Sequence, residues 1–218
     1  MKKFLFLSLC LLFVFAACGG SSTEAEEPEE EDVPAIQQLE NIATDLQAGV
    51  DELMQPINDT QAVIDDITTL PDRLGMDASA LMSMVGATME GGEVSISADM
   101  NLDAEAKAEL EAVMNRLKGI VEGLKATPDR VKVMMGRVSA ASAQVPVLAT
   151  EVTTSANLTL SNPLASDEDK AQAQADINNV AQIKGMVEAK IQEVQNQLAN
   201  IPAMATEALA KLTASFAT

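Results

Sequence analysis

Histidine, tryptophan and tyrosine are absent from the 218 residues of this chain, and four of its five phenylalanines (Phe4, Phe6, Phe13, Phe15) fall within the first fifteen positions. Without an imidazole the chain lacks the side chain that most often acts as general base, as partner to a nucleophile or as zinc ligand near neutral pH. Phe216 is the one aromatic beyond position 15, so there is no platform on which bases or sugars could stack. Both cysteines, Cys10 and Cys18, lie near the N-terminus and leave the body of the chain without disulfide, redox or cysteine-metal chemistry. Basic residues are scarce as well: 14 Lys and Arg stand against 33 Asp and Glu, a net charge of −19. That sign argues against nucleic acid as a partner and against electrostatic attraction to anionic lipid.

What is present begins with Met1, Lys2 and Lys3 and an uncharged run from Phe4 to Ala17 in which only Ser8 is polar. A spanning helix needs about 20 apolar residues, so this shorter run reads as an export signal and not an anchor. It ends in Ala16 and Ala17 directly before Cys18, with Gly19 and Gly20 following. The Ala16-Ala17-Cys18 junction resembles the lipobox of bacterial lipoproteins, with Phe15 standing where that family usually has leucine. The resemblance covers the signal region alone. It implies that residues 1–17 are removed, that Cys18 carries diacylglycerol and palmitate, and that the chain is lipid-anchored in the bacterial cell envelope. By the same resemblance, Gly19 in place of an inner-membrane retention aspartate favours the outer membrane where the cell has two. Loss of Lys2 and Lys3 leaves 12 basic residues against 33 acidic ones, a net charge of −21.

Residues 18–33 follow as an acidic tether. Seven acids (Glu24, Glu26, Glu27, Glu29, Glu30, Glu31, Asp32) surround Pro28, and no apolar side chain between Ser21 and Asp32 is larger than Ala25. Such a segment cannot bury enough surface to offset its ordering entropy, and disorder is the expectation. About 15 residues of flexible chain reach on the order of 20 Å, so the domain that follows would hang away from the membrane.

Residues 34–218 carry three apolar seams with alternating spacings of three and four. The first runs through Ile36, Leu39, Ala43, Leu46, Val50, Leu53, Ile57, Thr60, Ile64 and Ile67; Pro56 should kink it, and Pro71 with Gly75 should end it. The second keeps phase from Ala106 to Val152. Thr127, Pro128 and Asp129 look locally like a new helix start, but the unbroken register favours one long helix bent at Pro128 and Pro146. The third runs from Ala173 to Leu212 behind the acidic start Ser166-Asp167-Glu168-Asp169, with Lys184 as its one charged member, expected at the rim. Three one-sided helices must bury their stripes together, which predicts an all-α, elongated, antiparallel three-helix bundle or coiled coil. Val145-Pro146 through Thr150-Glu151 recurs as Ile201-Pro202 through Thr206-Glu207, an echo that suggests kinship of the last two helices.

A methionine-rich insert, residues 75–102, separates the first two helices. Asp77 should cap a short helix to Val85, and Val94, Ile96, Ala98, Met100 and Leu102 alternate as a strand would. The only similar alternation is in Asn157–Ser161, so a two-stranded ribbon at one end of the bundle is predicted. Met82, Met84 and Met89 resemble the thioether clusters that hold copper(I), against the simpler reading that methionine fills irregular gaps.

Adjacent acids such as Asp51 and Glu52, or Asp65 and Asp66, point to different sides of a helix and read as solvated faces, not as a catalytic pair. The sequence therefore predicts a non-enzymatic, lipid-anchored spacer, scaffold or interaction module with no cofactor beyond the lipid on Cys18. Its expected partners are the membrane, a protein of the envelope and, since nothing strongly forbids it, a second copy. The alternative is an exported carrier or chaperone that uses the Met-rich end or an apolar face.

Overall fold

The computed structural model describes residues 33–91 and 102–216. The expected signal, Cys18, the tether up to Asp32 and the alternating residues Val94–Met100 lie outside the described residues. What is described is all-helical: α1 (Ala35–Leu74), α2 (Ala78–Met89), α3 (Ala104–Ser161) and α4 (Asp167–Phe216), packed together.

Each helix start has a local cause. The Asp77 carboxylate accepts from the amides of Ser79 and Ala80 at the head of α2, and Asp103 accepts from the Ala106 amide at the head of α3. At the head of α4, Ser166 Oγ accepts from the Asp169 amide while the Asp169 carboxylate takes the Ser166 amide, a reciprocal capping box. α1 ends at Gly75, whose φ of 64° is open to glycine without cost. Pro71 does not end this helix as expected. It stands inside the last turn, and its carbonyl accepts the Gly75 and Met76 amides that close α1.

The Ser79 hydroxyl, followed by the Ala80 and Ser79 amides, holds the Asp77 carboxyl below its usual value of 3.8. A depressed folded value means that the cap is in full force above the ordinary carboxyl range and is lost as pH falls below about 3.8. Hydrogen exchange at Ser79 and Ala80, corrected for its intrinsic rate, should therefore accelerate through that range. Asp77→Asn, which still caps, should abolish this pH dependence while retaining most of the protection.

α3 is one helix of 58 residues across both Pro128 and Pro146. Thr127 does not cap a new helix; its hydroxyl bonds back to the Gly123 carbonyl, 2.9 Å away. The same i−4 bond ties Thr60 to Pro56, Thr150 to Pro146 and Thr206 to Pro202. A proline and a back-bonded threonine one turn later thus recur in all three long helices, so the sequence echo in the last two has a third copy in α1.

The predicted ribbon is not formed. Asn157–Ser161 is the last turn of α3, because the seam runs on from Val152 to buried Ala156 and two apolar residues in five fit either period. The insert contributes a fourth packed helix instead: α2 reaches Met89, and its Leu81 and Val85 are fully buried.

The core forms two clusters. One joins Leu39–Leu53 of α1, Val131–Val152 of α3 and Val180–Ile201 of α4. The other joins Val63–Leu70 of α1, Leu110–Leu124 of α3, Ala205–Leu212 of α4 and Leu81 and Val85 of α2. Between them lie the buried threonines Thr60 and Thr127 and the intrahelical prolines Pro56, Pro128 and Pro202. Four ion pairs link α1 to α3: Arg73–Glu109, Asp66–Arg116, Asp59–Arg116 and Glu52–Arg130. Their order is reversed along the two helices, which are therefore antiparallel. α1 and α4 run in the same direction, since residues 47–58 share a groove with 197–204 and Gln61 accepts from Lys211 farther along both.

Candidate functional site

The acids singled out in the sequence do not converge. In each adjacent pair one carboxylate turns towards α3 and the other stays on its own helix. Glu52 meets Arg130 at 2.5 Å, whereas Asp51 accepts from Gln47 at 2.7 Å. Asp66 meets Arg116 at 2.7 Å, whereas Asp65 accepts from Gln61 at 2.7 Å. Successive helical residues diverge by about 100°, so neither pair can share a proton or clasp one ligand. The ion pairs are half exposed and hold register more than they add stability. Among the described residues, no group of three or more acids or cysteines stands close enough to hold a metal ion, and no helix is long and apolar enough to cross a membrane.

The copper candidates Met82, Met84 and Met89 are each half-buried and pack against the second cluster, together with Met76, Leu102 and Phe216. α2 is held there from outside as well: Lys125 of α3 donates to the Met89 carbonyl at 2.8 Å, a cation placed at the negative end of a helix. The thioethers are thus engaged in filling the end of the core. Lys184 sits at the rim, half-buried and 3.7 Å from Glu188, while its neighbour Ile183 takes the inward position.

Two surface grooves have sharper features. Between α1 and α4, Gln47 and Gln197 face a groove lined also by Met54, Asn58 and Met204. Their side-chain oxygens are buried without a partner, while their Nε2 atoms are committed to Asp51 and Glu193. These oxygens can only accept, so a water or a ligand N–H would satisfy them.

The other groove lies on α3 alone, along Pro146, Val147, Thr150, Glu151, Thr154, Ser155 and Leu158. Val147 and Leu158 are 63% and 66% exposed. The seams gave no reason to notice these residues, since they lie outside the buried stripe. A signal was nonetheless present: Glu151 is the only charged residue between Arg137 and Asp167 in a chain of which 22% is charged.

No protein family, curated protein or solved structure matches this chain. Its function therefore has to be argued from residues and geometry.

Proposed function

We propose that α1, α3 and α4 form an elongated antiparallel three-helix bundle with α2 packed at one end, and that this bundle is a non-catalytic, lipid-anchored spacer or interaction module of the bacterial cell envelope. Cys18 would carry the lipid, residues 18–33 would give slack, and the bundle would set the reach. The observation behind this reading is where the apolar side chains go: into two clusters shared by the same three helices. At 1.5 Å per residue, α3 alone would extend about 87 Å. The grooves are open, and the carboxylates stand singly at the surface, which suits binding to a surface better than chemistry on a small molecule.

The test is acyl labelling and crosslinking in intact cells. Cys18→Ser should lose both the acyl label and the crosslinked envelope partners. Unchanged labelling would sink the anchor. Anchoring with no crosslinked partner would leave the protein as a spacer without an interaction role.

The carrier reading draws on the Met-rich end. If tight copper(I) binding is found and is lost when Met82, Met84 and Met89 are changed to leucine, that reading replaces the first.

A further inference from the structure

The register of α1 against α3 locates the point at which α1 begins. In three of the four ion pairs between them the two residue numbers add to 182, and the fourth, Asp59–Arg116, is the longest at 3.9 Å, one heptad from the Asp66 pairing of the same arginine. Ala35, the first residue of α1, therefore falls beside Val147. From there α3 continues for 14 residues to Ser161, about 21 Å, and turns back into α4. Over this length α3 and α4 form a hairpin that α1 does not cover.

The flank of α3 that α1 would have covered can be identified by period. Beside α1, a groove is lined on α3 by Asp129, Arg130, Val133, Met134 and Arg137. Three heptads later the same flank is Thr150, Glu151, Thr154, Ser155 and Leu158, the groove found on α3 alone. The track of α1 thus runs on along the hairpin as an open surface. Exposed apolar residues gather around it: Val147, Leu158, Met186 and, at the hairpin tip, Leu164, 92% exposed, with Val33 at the start of α1. These are five of the eight large hydrophobics that the described residues leave exposed.

We propose that the occupant of this track is a second copy of the chain, paired hairpin to hairpin about a twofold axis near Ser155. Polarity fits. Under such an axis the partner's α3 is antiparallel to α3 and parallel to α4, the same sense in which α1 lies against both, so it continues the α1 track and forms a four-helix contact. Charge fits as well. On a chain with net charge −19, copies repel wherever acids face each other, and this stretch of α3 carries only Glu151. The chain's own upstream segment is a poor occupant, since Ser21–Asp32 has no apolar side chain larger than Ala25 to set against Val147 and Leu158.

A helix 21 Å long set into a two-helix groove, once in each direction, buries on the order of 1,000–1,200 Å² in total, at the lower edge of specific interfaces. The dimer is therefore weak and reversible. Salt strengthens it by screening the net charge. None of this depends on the lipid anchor.

The test uses the chain from Ser21, which lacks Cys10 and Cys18 and contains the whole packed unit Val33–Thr218, both of whose clusters draw only on its own residues. Sedimentation equilibrium should show a monomer–dimer equilibrium with a dissociation constant in the micromolar range, tightening with salt. Val147→Glu and Leu158→Glu, at exposed positions, should each raise that constant at least tenfold with unchanged helical circular dichroism. Ser155→Cys should oxidise to a disulfide dimer much faster than Ser215→Cys near the far end of α4. A monomer at all concentrations, a dimer indifferent to both glutamates, or equal oxidation of the two cysteines would each overturn the proposal. So would dimerisation only after residues 21–32 are removed, which would mean that the chain's own segment occupies the track.

Discussion

Truncating Leu117 or Leu198 to alanine should each lower the unfolding free energy by about 2–5 kcal/mol, the range for a buried leucine whose cavity cannot collapse. Leu117, with no exposed surface, lies in the cluster that contains α2; Leu198, 1% exposed, lies in the other. Domains of this size are stable by only about 5–15 kcal/mol, so either change removes a large share. The surroundings have little with which to compensate. Their neighbours are Ala, Val, Ile, Leu and Met, the β-branched ones stiff at χ1, and no disulfide braces the described helices. In urea titrations the midpoint should fall while the slope stays unchanged, because the surface exposed on unfolding is nearly the same. Both variants should shift one and the same transition. α1, α3 and α4 each pass unbroken through both clusters, so neither cluster can melt without cutting three helices in mid-course. Two separate transitions, one sensitive to Leu117 and the other to Leu198, would mean that the layer of Thr60, Thr127 and the three prolines uncouples the halves.

The inward faces of the long helices were legible because a helix packed by its neighbours must repeat its apolar residues at three and four. Every member of the second seam except Ala106 is buried, and Ala106 is half-buried. Apart from Ile183, which takes the inward position beside Lys184, the seams understate the core at the second cluster, for a physical reason. Val63, Met114 and Val121, all in the second cluster, sit next to seam residues and are buried beside them. α2 packs at that end against α3 and α4, so the α3 stripe there faces one more neighbour and is wider. The doubled apolar pairs Val113-Met114 and Ile120-Val121 on α3 were thus the trace of the fourth helix. The ribbon failed for the opposite reason, since five residues are too few to separate a period of two from one of 3.6.

The candidate sites divide in the same way. That adjacent acids diverge follows from helix geometry and needed no coordinates. That the three methionines flank the buried stripe of α2 and pack against the core depended on where α2 docks, which no local pattern states. The exposed flank of α3 needed two facts together: a tract almost free of charge, which the sequence displays, and the place where α1 begins relative to it, which only the packing register supplies.

Gly123→Ala should destabilise the protein by about 1–3 kcal/mol, although alanine is the better helix former by about 1 kcal/mol. A Cβ at Gly123 would stand 2.7 Å from Cγ and 3.1 Å from Cβ of Pro56, on the facing helix. A proline ring cannot swing aside, so α1 itself would have to retreat at the level where it already lacks a backbone hydrogen bond. Gly49 provides the comparison. Its added Cβ would lie 2.7 Å from Cε and 2.8 Å from Sδ of Met134, the far end of a flexible side chain. Gly49→Ala should accordingly be nearly neutral, because the thioether can turn away and the gain in helix propensity offsets the adjustment. The two substitutions are chemically identical and differ only in the stiffness of the group they meet. Adding Pro56→Ala to Gly123→Ala should recover the loss, with a coupling energy in the double-mutant cycle of about 1 kcal/mol or more. If the cycle were additive, the ring would not be what the glycine accommodates. The close approach of α1 and α3 between the two clusters would then rest on Thr60 and Thr127 and their neighbours, and Gly123 would be replaceable by any small residue.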